Sequence, residues 1–142
     1  GEKENLRYAG VTVFTTEDIK TRGVEAVVEE AFAIAGKRTK GIHISYDLDL
    51  IDPTLAPGVS VPEFDGINVE EAMKINELII KHIESVTSYD LVEFNPLRDQ
   101  DRKTEQIAVN LLAQIIQATD KKDKYGKINL STPQADVNKI NA

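Results

Sequence analysis

Ser45-Tyr46-Asp47-Leu48-Asp49-Leu50-Ile51-Asp52-Pro53 is the stretch on which the reading turns. It closes a run that begins at Gly41 and alternates. Ile42, Ile44, Tyr46 and Leu48 fall on one face, and His43, Ser45, Asp47 and Asp49 on the other. Such alternation predicts a strand from Gly41 to about Leu48. Residues two apart in a strand lie about 6.6 Å apart on the same side. Asp47 and Asp49 are therefore expected side by side at the strand's C-terminal end, where open parallel sheets place their ligands. Two carboxylates so close repel and raise each other's pKa, and a cation resolves the conflict. An all-oxygen pair favours a hard ion such as Mg²⁺ or Mn²⁺. An Asp-x-Asp alone also fits a strand end that merely caps the next turn.

Downstream lies a long connection, Leu50 to Ile67, with three of the chain's five prolines (Pro53, Pro57, Pro62). A connection of that length is more often functional than idle. Asn68, with Glu71 three residues on, approximates a capping box, and Ala72, Ile75, Ile79 and Ile83 make the buried stripe of the helix it starts. A strand is expected from about Thr87 to Phe94, stopping before Pro96. A last helix starts near Asp101 and carries Ile107, Ala108, Leu111 and Ile115. Upstream, Tyr8 to Phe14 reads as a strand, Thr15 or Thr16 as a helix cap, and Gly23 as an interruption. Val24, Val27, Val28, Ala31 and Ala35 keep helical spacing, and Gly36 is placed to end that helix in a left-handed cap. From Lys121 onward no period survives, which reads as a mobile tail or an arm that orders on a partner. The alternation β-α-β-α-β-α predicts an α/β domain with a parallel sheet. Three strands leave two open edges, so the chain reads as part of a larger sheet.

Composition narrows the chemistry. Seventeen basic and 24 acidic residues among 142 give a net charge of −7, which argues against a nucleic-acid backbone or an anionic membrane as main partner. The chain has no cysteine, which removes disulfides, thiolate metal sites and cysteine nucleophiles. No apolar run has the length of a membrane helix, and Gly1 to Asn5 are too charged for a signal peptide. The expectation is a soluble, cytoplasmic, acidic protein.

Ser45-x-Asp47-x-Asp49, Asp52-Pro53, Pro57-Gly58 and Gly66 fall at the spacing of the signature of the arginase (ureohydrolase) superfamily, which the chain therefore resembles. Phe14 to Ile19 with Gly23, Asp90 to Pro96, and Lys103-Thr104 with Ala108 resemble further segments of that family, so the likeness spans about residues 8–118. It implies a three-layer α/β/α fold with a parallel sheet, of which residues 1–120 form the C-terminal part and 121–142 a flexible tail or oligomer arm. It also implies two Mn²⁺ ions, with Asp47 bridging them and Asp49 binding one, and an ionised water that attacks an amidine carbon. Glu93 is implied to accept hydrogen bonds from the substrate's guanidinium or formimino nitrogens. Asp52 reads instead as the cap of the turn into Pro53. A homo-oligomer, trimer or hexamer, is common in the family.

The chain also departs from the pattern. The family's Gly-Gly-Asp-His and Asp-Ala-His-x-Asp motifs do not occur here. His43 lies inside the strand and reads as sheet-facing, and His82 as a helix-surface residue. The segment thus holds about a third of the implied site, as the C-terminal part of a longer enzyme or as a member that has lost the chemistry. Ser60-Val61-Pro62 replaces the Gly-Thr-Pro usual in arginases, and Ala56 to Ser60 resembles formimidoylglutamases. The expected activity is Mn²⁺-dependent hydrolysis of a linear amidine, arginine to ornithine and urea. The alternatives are N-formimidoyl-glutamate to glutamate and formamide, or a non-catalytic member acting in assembly.

Overall fold

A computed structural model describes residues 9–122. Tyr8, and the tail expectation from residue 123 onward, lie outside the described residues. Lys121 and Lys122 belong to the last helix rather than to a tail.

Helix α1 (Thr16–Arg22) begins where Thr15 and Asp18 cap each other reciprocally. The Thr15 N–H donates to Asp18 Oδ2 at 2.7 Å, and the Asp18 N–H to Thr15 Oγ1 at 3.3 Å. Gly23, at φ 85°, separates α1 from α2 (Val24–Ala35). Gly36 is right-handed, at φ −77°, and the chain tightens into a 3₁₀ turn over Gly36–Arg38. The left-handed cap expected there does not form. The expected strand before α1 is also absent: described residues 11–15 carry no strand, and Val11 and Val13 stand half exposed. A strand is held by ladder bonds to a neighbour, and among the described residues none runs alongside.

Among the described residues the sheet therefore has two strands, not three: β1 (Ile42–Asp47) and β2 (Val86–Val92), joined by a crossover through α3 (Val69–Lys81). They pair in parallel, from Ile42 opposite Val86 to Asp47 opposite Val92, with an irregularity between Ile42 and His43. The α/β architecture with parallel strands stands as expected. The Asn68 capping box is present, with the Asn68 N–H donating to Glu71 Oε2 and the Glu71 N–H to Asn68 Oδ1, each at 2.9 Å. Ile83 lies beyond α3, in a 3₁₀ turn over Ile83–Ser85, so it is not on that helix's stripe.

The core gathers Tyr46, Leu48 and Ile51 with Ala72 and Ile79 of α3. Ile107, Leu111 and Ile115 of α4 (Lys103–Lys122) close it. One amide sits among these apolar groups: Asn76, fully buried on α3. It accepts from the Tyr89 hydroxyl at 3.4 Å and donates to the Leu111 carbonyl at 3.2 Å and to Gln114 Oε1 at 2.8 Å. A buried amide left unpaired would be strongly unfavourable, so these bonds fix how α3 and α4 meet.

Candidate active site

β1 ends at Asp47, one residue earlier than its alternation predicts, because the Asp47 carboxylate caps a turn that begins at the next residue. Leu48–Leu50 form this 3₁₀ turn, and the Asp49 N–H donates to Asp47 Oδ1 at 3.4 Å. Asp49 is therefore not the next outward residue of a strand. Leu48 and Ile51, on either side of it, are both fully buried. Burying each contributes about 1.5–3 kcal/mol. These two anchors pin the turn and leave the carboxylates of Asp47 and Asp49 facing each other.

The consequence is electrostatic. The Asp49 carboxyl is pushed up to about 6, first by desolvation, then by its hydrogen bond to Asp47 and the Asp47 charge, then by the charges of Glu93 and Glu63. Glu93 reaches this neighbourhood through the sheet register: Asp47 pairs with Val92, and Glu93 is the next residue. All three carboxylates so stand at the C-terminal end of the parallel pair. Glu93 does so in a left-handed conformation, φ 64°, which a residue with a Cβ adopts at some strain. Beside them opens a cleft of about 560 Å³, lined by Asp47, Asp49, Glu63, Phe64 and Asp65 among others.

The remaining expected residues sort clearly. Asp52 caps its own turn, accepting from the Thr54 N–H at 2.9 Å and the Thr54 hydroxyl at 2.5 Å. His43 lies back along β1, its Nδ1 2.7 Å from Ser88 Oγ and its Nε2 3.7 Å from Asp90. His82 closes α3, stacked on Phe32 with ring centroids 4.4 Å apart, its Nε2 2.8 Å from Glu29. Neither histidine joins the carboxylates.

The signature glycines have steric reasons. A Cβ on Gly66 would stand 2.6 Å from both the Asp52 nitrogen and the Leu50 carbonyl oxygen. The chain there must pass tight against the turn, where Asp52 N–H donates to Ile67 O and Ile67 N–H to Leu50 O, each at 3.0 Å. Glu63 is a carboxylate that sequence reasoning missed. It comes directly after Pro62 in the long connection, and nothing in its local pattern places it near Asp49.

An all-oxygen donor set with one carboxyl raised by its neighbours suits a hard divalent cation. Among the described residues no group of three or more acidic or imidazole side chains is arranged to hold a metal ion. The chain's residues fit part of such a site.

An α/β unit with paired carboxylates at the C-terminal end of parallel strands defines a class, and comparison with known proteins places the chain within it. The Arginase family matches residues 1–117, and the chain belongs to that family. It is 36% identical to the arginase of Bacillus caldovelox over 115 residues, covering 81% of this chain and 38% of that protein. It is 34% identical to the mitochondrial arginase-2 of Homo sapiens over 113 residues, covering 76% of this chain and 32% of that one. The native structure of the Bacillus caldovelox arginase superposes with a TM-score of 0.75 over 81% of this chain and 38% of that one. The agmatine ureohydrolase of Thermoplasma volcanium superposes with a TM-score of 0.64 at 30% identity, covering 78% of this chain and 35% of that one. The chain thus spans little more than a third of the length of these relatives.

Proposed function

We propose that residues 1–120 form the C-terminal part of an arginase-like domain, and that the whole protein hydrolyses a C–N bond of a linear amidine, arginine to ornithine and urea. The observation that carries this reading is the meeting of Asp47, Asp49 and Glu93 at one strand end, in a chain similar to proteins named arginase. Asp47 and Asp49 would hold Mn²⁺ together with ligands from outside the described residues. When bound, the divalent cations supply the Lewis acidity that ionises water near neutral pH.

This chain's own work is positional. Glu93 accepts hydrogen bonds from the guanidinium and holds its central carbon toward the carboxylate pair. Water oxygen adds to that carbon, the bond to the alkyl nitrogen breaks, and a proton passes to the leaving amine. A cytoplasmic location and a homo-oligomeric assembly, a trimer or hexamer as is common in the family, belong to the same reading. No helix among the described residues is long and apolar enough to cross a membrane.

The test is Glu93→Gln in the whole protein, loaded with Mn²⁺ and assayed for urea release from arginine. The substitution keeps the shape and removes the charge. It should lower kcat/KM by about a hundredfold with bound Mn²⁺ unchanged. An equal loss of metal would make Glu93 a ligand instead. Formamide release from N-formimidoyl-glutamate in place of urea release would move the substrate assignment to the alternative.

A further inference from the structure

Three short motifs far apart in the sequence, Pro57-Gly58, Asn95-Pro96 and Lys103-Thr104, meet behind Glu93. The Gly58 N–H donates to Thr104 Oγ1 at 2.7 Å, a buried bond. The Gly58 carbonyl accepts from the Asn95 N–H at 2.8 Å. Between these, Val59 pairs with Phe94 in an antiparallel bridge. Two outer ties run to Ser60: Asn95 Nδ2 donates to its hydroxyl at 3.2 Å, and Arg98 to its carbonyl at 3.1 Å. Thr104 itself is fully buried. Its N–H donates to Asp99 Oδ1 at 3.0 Å, which fixes it to the start of α4.

The approach is too close for any residue but glycine at position 58. A Cβ there would stand 2.8 Å from Asp99 Cβ and 2.9 Å from Thr104 Oγ1. Glu93 immediately precedes the clamped pair Phe94–Asn95, and its φ of 64° is the conformation that turns the chain from β2 into the clamp. Such a strained backbone persists only where its surroundings over-determine it. Here the surroundings are the Gly58–Ser60 strip, and the buried Thr104 hydroxyl ties that strip to the start of α4.

We propose that Thr104 is a positioning residue for Glu93, acting through the Gly58–Ser60 strip to hold that carboxylate over the reacting carbon. This rests on the reading of Glu93 given above. Valine matches threonine in shape but has no acceptor, so Thr104→Val leaves a buried Gly58 N–H unpaired, whereas Thr104→Ser keeps the hydroxyl.

The whole protein gives the first readout, by NMR. Thr104→Val should move the amide resonances of Glu93 and Phe94 and reduce the exchange protection of the Asn95 N–H, and Thr104→Ser should restore both. In the whole protein, Thr104→Val should lower kcat about tenfold, the equivalent of one lost buried hydrogen bond. Bound Mn²⁺ should be unchanged, and Thr104→Ser should recover the rate. Lowered thermal stability with unaltered kcat would make Thr104 structural only and overturn the proposal, as would unmoved Glu93 resonances. If Thr104→Val does not fold, Ser60→Ala decides, because it removes a different tie at an exposed position. It should give a smaller fall in kcat, and an unchanged kcat overturns the proposal. A silent Glu93→Gln brings down the reading of Glu93 and this proposal together. A strong Glu93→Gln effect beside a silent Thr104→Val brings down this proposal alone.

Discussion

Asp49 and Asp52 lie three residues apart in one short stretch, and the fold treats them in opposite ways. Asp52 is surrounded by donors. The Thr54 hydroxyl, then the Thr54 N–H, hold its carboxyl below the ordinary value, against a small desolvation penalty and with help from the Asp65 N–H. Asp99 is of the same kind. Desolvation pushes it up, but the N–H of Glu105, the N–H and hydroxyl of Thr104 and the N–H of Gln100 outweigh that and hold it low. Asp49 faces carboxylates instead of donors, and its carboxyl rises to about 6. An aspartate that serves the backbone is satisfied by N–H and hydroxyl groups. One left among like charges, as the proposed metal ligand Asp49 is, keeps its proton to higher pH. In a run of acidic residues, the surroundings separate the two roles where residue type does not.

The sharpest break in this comparison comes from removing the other half of the pair. In the whole protein, Asp47→Ala should abolish Mn²⁺ binding and nearly all amidine hydrolysis, while the fold survives on its buried apolar core. Metal analysis beside circular dichroism checks this. Unchanged Mn²⁺ content would remove Asp47 from the ligands and make the Asp47–Asp49 contact a turn cap like that at Asp52.

A smaller effect concerns protons. The folded value of Asp49 lies above its ordinary 3.8, so the metal-free fold favours the protonated carboxyl. The stability this group contributes is fully present below 3.8 and is lost as pH rises toward about 6. A bound cation displaces that proton, so metal affinity should weaken as pH falls through about 6. Carboxyl NMR of the metal-free protein should give a midpoint near this value, lowered by Mg²⁺ and by Asp47→Asn. A midpoint near the ordinary 3.8, indifferent to both, would place Asp49 with Asp52 in the capping class.

Much of this was legible in the sequence, for local reasons. The alternation of Ile42, Ile44 and Tyr46 marks β1, the Asn68–Glu71 pair marks the start of α3, and Asp52 reads correctly as a cap. What was not legible depends on distant partners. Tyr8 to Phe14 has strand-like residues, but residues 11–15 have no described neighbour to pair with. The burial of Asn76 is decided by Leu111 and Gln114, and that of Thr104 by Gly58, all remote in the sequence. The left-handed turn at Glu93 is hidden too, because nothing about glutamate announces a positive φ. Asp49 was expected on the strand's outward face, and the carboxylate of Asp47 ended the strand before it.

The smallest effect tests the other side of the comparison. Asp52→Ala removes a carboxylate that accepts from the Thr54 N–H and hydroxyl and from the Asp65 N–H and faces no other carboxylate of the site, so bound Mn²⁺ and kcat/KM should stay at the wild-type level. The change should appear in stability alone, as a modest fall in melting temperature, because the Thr54 N–H and hydroxyl lose their acceptor. Its pH dependence identifies the cause. The folded pKa of Asp52 lies below 3.8, so the stability it contributes is present above that value and is lost as pH falls through the folded pKa. The gap between wild type and variant should therefore be open at neutral pH and should close in acid. Asp49 behaves in the opposite sense, losing its contribution as pH rises. If Asp52→Ala instead released metal, or if the gap between the two proteins stayed constant into acid, the Thr54 bonds would not be what sets Asp52 apart, and the division between capping and cation-holding aspartates would not hold in this stretch.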